Sequence, residues 1–254
     1  MNVLVAVKRV PMTGGTIVLR DDRQEIDTRH LGFTISPHEE CAAEEAVRLI
    51  ERHGGSSTVL TLGPPEAEEQ LRDSLAVGVD RAIHLVSDGD EWDPQATAAA
   101  IVASIAAERL AGTSYDLLLF GNESADAGNF QVAMRVAVAL GLPCVSGVKA
   151  IEVDGGRVRC EQEVDGGRDV YELDLPAVLA VKEGLNLPRY PSVPGRLRAK
   201  RKPLEASSPQ RPPARLRKVA LALPPDSGKQ ARILGHGADA APAVLEVLTE
   251  LGLL

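Results

Sequence analysis

Four short apolar runs alternate with helical segments over residues 1–142, and this alternation restricts the possible folds more than any other feature. The runs lie at residues 3–7, 57–62, 81–86 and 115–120. Strands that alternate with helices predict a parallel sheet joined by right-handed crossovers. We therefore expect an α/β fold built on a parallel sheet.

The ends of several helices can be placed from their capping residues. Ser36 precedes Pro37, and Glu39 completes a capping box, so a helix is expected to start there. Asp93 is expected to cap a long alanine-rich helix, and Gly141 to end the helix that follows residue 130. The pattern places Phe130, Met134, Ala137 and Val138 on one face of that last helix.

From about residue 145 the sequence predicts short strands in place of further strand–helix units. Asp-Gly-Gly at 154–156 and at 165–167 is typical of tight hairpin turns. We expect an antiparallel meander of four strands, appended to the parallel sheet, at residues 145–153, 157–163, 170–175 and 177–181.

The chain is predicted to divide near residue 183. Residues 1–183 would form the α/β domain, including the antiparallel strands. Residues 184–254 would form a loop, a basic linker rich in proline and arginine, and a C-terminal arm. The arm contains an amphipathic helix at 241–252, which either packs on its own domain or embraces a partner.

Composition argues against several classes of function. Aromatic residues make up only 3% of the chain, which disfavours a base-stacking surface for nucleic acid. Three widely separated cysteines without metal-ligand spacing predict no metal site and a reducing, cytoplasmic setting. No apolar run approaches the ~18 residues of a membrane-spanning helix, so no stable membrane insertion is expected.

Charge is unevenly distributed along the chain. Residues 189–218 hold ten Lys and Arg against one acid, Glu205, whereas the remaining residues carry 18 basic and 35 acidic side chains, a net −17. This segregation predicts a docking segment.

The segment at residues 115–143 contains a strand, a polar loop and a helix start. Such a loop, at the carboxyl end of a parallel strand, is a place where α/β proteins bind phosphates, but an ordinary strand–helix turn explains the same residues equally well. Walker, dinucleotide-fingerprint and nucleophile-elbow motifs are absent from the sequence. A binding protein or carrier is therefore favoured over a catalyst, and no catalytic residue is assigned.

Several blocks of the sequence together match the pattern of one known family. The most specific is LNLPRYPSVPGRLRAKRKPLE at residues 185–205. The others are VAVKRV at 5–10, SP before CAAEEAVRL at 36–49, LGP at 62–64, SLAVGVDRAIHL at 74–85, GNESADAGNFQV at 121–132, and DGG with LPA at 165–177. With these blocks the chain resembles the β subunit of the electron transfer flavoproteins.

The resemblance implies an adenine-nucleotide hydrolase-like domain that forms a heterodimer with an α subunit. In that family the α subunit holds most contacts to a redox-active FAD, and the β subunit binds AMP, or a second FAD in electron-bifurcating members. It implies that a nucleotide is bound by Ala6, Pro37, His38, Gly63, Gly121, Asn122, Ser124, Asp126, Ala127, Gly128, Asn129, Phe130, Gln131 and Val132. Because phosphate repels a carboxylate, Asp126 is expected to cap the helix or to meet the ribose.

The resemblance also implies a recognition loop for flavin-dependent dehydrogenases at residues 188–195. Val193 takes the place of the family's aliphatic anchor, and the basic run that follows would steer an acidic partner or clamp the α subunit. The partner-binding residues implied are Arg189, Tyr190, Pro191, Val193, Pro194, Arg196 and Lys200.

Departures from the family pattern leave the flavin environment open and leave AMP, a second FAD, an unusual ligand or an empty site as alternatives for the nucleotide site, so three functions are considered. Thr13 and His38 stand where many members have aromatic residues, and Gly128 and Phe130 differ from the usual loop. The first function is an electron carrier that accepts electrons from dehydrogenases and passes them on through the α-subunit FAD. The alternatives are an electron-bifurcating subunit with its own FAD and a stand-alone nucleotide-binding regulator.

Overall fold

The computed structural model describes residues 1–12, 14–225 and 232–254, so Thr13 lies outside the described residues. Within them, most strands belong to one nine-stranded sheet, and a separate antiparallel pair lies in the connection after the first strand. The strands are β1 (Asn2–Ala6), β2 (Val10–Pro11), β3 (Phe33–Thr34), β4 (Ser56–Gly63), β5 (Arg81–Val86), β6 (Leu117–Gly121), β7 (Cys144–Asp154), β8 (Arg157–Val164), β9 (Gly167–Asp174), β10 (Ala177–Val181) and β11 (Leu204–Ser207). The α-helices are α1 (Pro37–His53), α2 (Glu68–Val77), α3 (Pro94–Leu110), α4 (Val132–Leu140), α5 (Val193–Ala199) and α6 (Ala241–Glu250), with short 3-10 turns at Pro65–Ala67 and Gly237–Ala240.

The order of the strands makes the sheet doubly wound. It runs β11-β5-β4-β1-β6-β10-β7-β8-β9, and neighbours are parallel from β11 to β7. From β1 the chain builds the sheet outward through β4 to β5, and it then returns to the other side of β1 to form β6. The strand order therefore reverses between β1 and β6, which is where such sheets form a ligand crevice.

Helices cover both faces of the sheet. One face packs Val3, Val5 and Leu119 against α1 and α2, and the other packs Leu4 and Phe120 against α3 and α4. Because both faces of the central strands are covered, these strands are apolar along their whole length, with no alternation. This confirms the parallel α/β fold predicted from the alternating runs.

The residues predicted to begin and to end helices are confirmed. Asp93 accepts a hydrogen bond from the Ala96 backbone N–H at 2.6 Å, and Gly141 ends α4 in the left-handed conformation at φ 67°. Glu39 accepts from the Ser36 backbone N–H at 3.0 Å, as a capping box requires.

The predicted apolar face of α4 is wrong in part. Phe130 precedes the helix, and Met134 and Val138 are exposed, whereas Ala133, Val136 and Ala137 are buried. The pattern was shifted because Phe130 has a left-handed backbone, so the helix begins two residues later than the apolar run suggests.

The expected four-stranded antiparallel meander is corrected to three strands. β7, β8 and β9 pair antiparallel through tight turns, but β10 lies between β6 and β7 and is parallel to both. The apolar, fully buried sequence of β10 fits a central parallel strand, because an edge of a meander would leave one of its faces in water.

The region expected as an extended loop and linker also contains regular structure. Within residues 184–215, α5 packs against α2, and β11 adds a parallel edge strand beside β5. The C-terminal helix forms as predicted, but within α6, all of which is described, no side chain is buried.

Candidate functional site

The carboxyl ends of β1 and β6 lie side by side, and we call the space beyond them, where a doubly wound sheet binds its ligand, the crevice. Ala6 pairs with Phe120 across these strands, and the chain then leaves in two directions, through Lys8 on one side and the loop that follows Gly121 on the other. We call the loop of residues 121–131 the crevice loop. Both predicted segments, the end of the first strand and the crevice loop, are thus brought together.

Glu39 lies in the first turn of α1, directly against Gly121 at the start of the crevice loop. Its carboxylate accepts from the Lys8 N–H at 2.9 Å and from the Ser36 N–H at 3.0 Å, and the residue is 6% exposed. Burial raises the pKa of Glu39 to about 8, although these hydrogen bonds and Lys8 oppose the rise. Glu39 therefore keeps its proton to a higher pH than an exposed glutamic acid does.

Gly121 is required by the close approach of Glu39. A Cβ at Gly121 would stand 2.6 Å from the Glu39 Cγ and 3.4 Å from the His38 Cβ. The absence of a side chain at this position lets the crevice loop pass directly over the start of α1.

The first residues of the crevice loop are bound to neighbouring strands. The Asn122 N–H donates to the Val181 carbonyl at 2.8 Å, and its side-chain oxygen accepts from the Gly147 N–H at 2.8 Å. Asn122 therefore holds the loop to β10 and β7 and fixes where it leaves the sheet.

Glu123 joins the loop to the N-terminus of α1. Its carbonyl accepts from the Ser36 hydroxyl at 3.3 Å, and its carboxylate lies 3.5 Å from the His38 Nε2. The Glu183 N–H donates to the His38 Nδ1 at 3.2 Å, so the proton of a neutral ring lies on Nε2 and faces Glu123. His38 thus joins the start of α1 to the crevice loop and to the segment that follows β10.

Asp126 pairs with Lys8 across the mouth of the crevice. Its carboxylate lies 2.7 Å from the Lys8 Nζ and accepts from the Ala127 N–H at 2.7 Å. Partial burial would raise the pKa of Asp126, but the Lys8 cation and the hydrogen bonds from its neighbours outweigh it and lower the pKa. Asp126 makes no cap hydrogen bond to α4, so of its two expected roles the ribose contact stays a prediction.

The end of the crevice loop has an unusual backbone. Gly128 and Phe130 both have positive φ, at 53° and 55°, and the Phe130 side chain is 47% exposed. A bulky residue rarely adopts this conformation. The loop therefore holds an aromatic ring outward beside the exposed Asn129.

The N-terminus of α4 is not capped by the residue that precedes it. Gln131 makes no side-chain cap hydrogen bond, and its amide oxygen instead accepts from the Arg135 guanidinium at 2.8 and 3.1 Å. The first N–H groups of the helix, from Val132 on, are thus not satisfied by the Gln131 side chain, and they face the loop end.

Two buried polar side chains shape the carboxyl edge beside Gly63. The Thr61 hydroxyl donates to the Val7 carbonyl at 2.7 Å. The His84 Nε2 lies 3.3 Å from the Gly63 carbonyl and 3.1 Å from the Pro64 carbonyl, so this nitrogen carries a proton. Neither residue was assigned to the site from the sequence, although His84 lies within the block at 74–85 and Thr61 directly precedes the block at 62–64.

The segment after residue 184 is fixed to α1 by Arg189. Its guanidinium makes paired contacts of 2.7–3.0 Å with the carboxylates of Glu44 and Glu51, and these contacts raise its pKa. Glu44 is buried, so this ion pair is stronger than an exposed one. Arg189 was predicted to bind a partner protein, but its side chain forms these ion pairs within the chain instead.

α5 is fixed to α2 in a similar way. A Cβ at Gly195 would meet the Ala76 carbonyl at 2.5 Å, and Arg196 pairs with Asp73 at 2.9 Å. The Lys202 ammonium donates to three carbonyls at the end of α2, at 2.5–3.1 Å, while burial lowers its pKa.

Above this anchored base, apolar side chains face solvent. Tyr190 is 96% exposed and Val193 74% exposed, and Leu187 and Leu197 are exposed beside them. We call these four residues the docking tip. Pro194 and Lys200 are also exposed, and Pro191 is partly buried.

Comparison with known proteins identifies the family. A family profile described as the electron transfer flavoprotein domain matches residues 25–211. Electron transfer flavoprotein subunit beta of Bacillus subtilis is 37% identical over 207 residues, covering 81% of this chain and 78% of that protein. The Syntrophomonas wolfei subunit is 36% identical over 226 residues, covering 89% and 86%, and the mitochondrial rice subunit is 33% identical over 213 residues, covering 83% of each.

This chain belongs to the electron transfer flavoprotein β-subunit family. The family is a flavoprotein family of electron transport, and its name implies an α-subunit partner. The resemblance inferred from the sequence blocks is therefore confirmed.

Two cavities of this flavoprotein subunit lie away from the crevice. One, of about 260 Å³, is between α2 and the docking segment, and the other, of about 210 Å³, is at the amino ends of the strands around Arg81 and Tyr115. Over the part of the chain that the structure describes, no three His, Cys, Asp or Glu side chains gather as a metal site would require. In the same residues, no helix combines the length and apolar character needed to cross a bilayer.

Proposed function

We propose that this chain is the β half of a heterodimeric electron carrier. Its α subunit would hold most contacts to a redox-active FAD, flavin-dependent dehydrogenases would supply the electrons, and this chain would hold AMP. The docking tip carries the proposal, because four exposed apolar side chains stand on a segment that ion pairs hold rigidly to α1 and α2. A small rigid apolar surface suits a brief contact with several partners.

The residues of the crevice fit an adenine nucleotide. The N–H groups at the start of α4 suit a phosphate, and Lys8 supplies a cation at the same edge. Burial raises the pKa of Glu39, which favours its neutral form and so lessens its repulsion of an anion. The nucleotide would supply no chemistry, and this chain's residues would bind and orient it.

The exposed C-terminal helix supports the α-subunit partner. Val244, Leu245 and Leu251 are all exposed on α6 and its end, so an apolar surface is available to a second protein. We also propose a cytoplasmic location, which three unpaired cysteines support.

Co-expression with the cognate α subunit tests the heterodimer and its nucleotides together. We expect a yellow heterodimer from which denaturation releases a single FAD and AMP. Release of two FAD molecules would instead support the electron-bifurcating alternative. A colourless, lone β subunit would contradict both.

A substitution in the docking tip tests the dehydrogenase contact. Val193→Asp should slow reduction of the heterodimer by a dehydrogenase about ten-fold or more, because a charge replaces the apolar anchor. Reduction by dithionite, which needs no docking, should not change. Val164→Asp, at an exposed valine of β8, is the control and should leave both rates unaltered.

A further inference from the structure

Residues 211–221 have no helix or strand, yet specific contacts hold them across the carboxyl edge of the sheet. We call them the strap. At one end, the Arg211 guanidinium donates to the Glu91 carbonyl at 2.6 Å and lies over the Trp92 ring at 5.7 Å. The backbone N–H groups of Arg215 and Leu216 both donate to the Asp93 carboxylate, at 2.6 and 2.9 Å.

The other end of the strap is bound to a turn in the β1–α1 connection. The Leu221 N–H donates to the Arg23 carbonyl at 2.7 Å, and the Arg23 side chain donates back to the Leu221 carbonyl at 3.1 Å. Gln24 donates to the Val219 carbonyl at 3.0 Å, and Lys218 donates to the Gln24 carbonyl at 2.8 Å. The strap thus links the loop after β5 to the connection after β1.

The strap and the loop beneath it are oppositely charged. The loop carries Asp88, Asp90, Glu91 and Asp93, and the strap carries Arg211, Arg215, Arg217 and Lys218. The second half of the basic segment therefore has its acidic partner within this chain.

A row of charged contacts connects the strap to the crevice loop. The Lys218 Nζ lies 2.5 Å from the Glu91 carboxylate, and Glu91 lies 3.9 Å from the Lys8 Nζ. Lys8 in turn lies 2.7 Å from Asp126 of the crevice loop. The charge therefore alternates in sign along this row from the strap to the mouth of the crevice, in the order Lys218, Glu91, Lys8 and Asp126.

We propose that the strap is a closing element of the nucleotide crevice, and that Lys218 is its positioning residue. Lys218 neutralises Glu91, which would otherwise compete with an incoming phosphate for Lys8. When the strap is docked, Lys218 pairs with Glu91, and Lys8 is freer to bind phosphate. When phosphate is bound, Lys8 moves away from Glu91, and Glu91 is then free to pair with Lys218. Strap docking and nucleotide binding thus strengthen each other, and this coupling is reciprocal. The proposal rests on the proposed nucleotide site.

Trp92, the single tryptophan of the chain, reports the position of the strap. It is 8% exposed and lies beneath Arg211. In the purified full-length chain, raising NaCl from about 20 mM to about 500 mM should shift Trp92 emission to the red, because salt screens the exposed ion pairs that hold the strap. Saturating AMP should reduce this shift.

Calorimetric titration with AMP tests the role of Lys218. Lys218→Met should weaken AMP binding about five-fold, whereas Lys218→Arg should restore it, because it keeps the charge. Lys149→Met is the matched control: Lys149 is 37% exposed against 35% for Lys218, and it pairs with Glu163 at 3.0 Å far from the strap. Its AMP affinity should equal that of the wild type.

The outcomes separate this proposal from the proposed function. Equal AMP affinity in the wild type and Lys218→Met would overturn the coupling and leave the nucleotide site intact. A loss that Lys218→Arg does not restore would also overturn it. No AMP binding to any variant would overturn both proposals, and Trp92 emission would still show whether the strap docks.

Discussion

At the scale of single residues, Glu39 shows how the crevice changes the chemistry of a side chain. Two backbone N–H groups hold its carboxyl group where Gly121 closes over it, away from water. A carboxyl group in this position keeps its proton to a higher pH than a free one.

The stability of the chain should therefore depend on pH through Glu39. Burial raises its pKa from 4.5 to about 8, so between these values the folded chain holds a proton that the unfolded chain has released. The stabilisation is complete below pH 4.5 and is lost as the pH rises toward 8. From pH 5 to 8, the wild type should lose on the order of 3 kcal/mol more unfolding free energy than Glu39→Gln.

Urea unfolding at both pH values measures this difference. Glu250→Gln, at an exposed carboxylate of α6, is the control and should behave like the wild type. If Glu39→Gln and the wild type lose the same free energy, Glu39 is ionised in the folded chain.

Gly121→Ala should destabilise the chain by about 1–3 kcal/mol, because the new methyl group meets the Glu39 Cγ at 2.6 Å. Gly167→Ala, where a Cβ has no atom within 4 Å, should change the unfolding free energy by less than about 0.5 kcal/mol. Urea denaturation compares the two variants. Equal effects would show that the loop shifts to accommodate the methyl group.

Sequence reasoning identified Glu39 as a capping residue but not as a buried acid. The spacing from Ser36 to Glu39 is local and visible in the sequence. The burial depends on Lys8 and Gly121, which are distant along the chain and meet Glu39 only when β1 and β6 become neighbours.

At the scale of elements, the ion pairs that hold the segment of residues 184–202 to α1 all come from a single side chain, Arg189. Arg189 joins the segment to Glu44 and Glu51, and Glu44 is buried. Arg189→Met should therefore release residues 184–202, and their amide hydrogens should exchange about ten-fold faster, as expected for a local loss of about 1–2 kcal/mol.

Hydrogen exchange with mass spectrometry measures this release. Arg196→Met removes a single ion pair to the exposed Asp73 and should change exchange in the same segment by less than about two-fold. Comparable exchange in the two variants would show that Arg189 does not hold the segment.

The positions of β10 and β11 could not be predicted from their neighbours in sequence. β10 follows an antiparallel hairpin, yet it pairs parallel with β6 and β7, and β11 follows a basic segment, yet it pairs parallel with β5. These pairings join residues far apart along the chain. The local patterns that located α1, α3 and the hairpin turns carry no information about them.

At the scale of the whole molecule, half of the ten basic side chains of residues 189–218 bind other groups of this chain. Arg189, Arg196, Lys202, Arg211 and Lys218 all contact acids or carbonyl groups of this chain. The segregation of charge predicted a docking segment for a partner, but several of its basic side chains instead pair with acidic groups of this same chain. The surfaces that remain for other proteins are the apolar ones at the docking tip and on α6, together with five exposed basic side chains, Arg198, Lys200, Arg201, Arg215 and Arg217.

The α6 helix should therefore serve binding and contribute little to folding. Leu245→Lys places a charge on its apolar face, at a side chain that is already 55% exposed. The chain alone should unfold at an unchanged urea concentration, because Leu245 is exposed and no side chain of α6 is fully buried. Affinity for the α subunit should fall about ten-fold or more, since a leucine buried at an interface contributes about 1.5–3 kcal/mol.

Glu246→Lys is the matched control, because it adds a lysine to the adjacent exposed position of the same helix. It should leave both stability and α-subunit affinity close to those of the wild type. Equal affinity in the two variants would show that this face of α6 is not the surface that meets the partner. Destabilisation of the lone chain by Leu245→Lys would show that α6 folds back onto its own domain in solution.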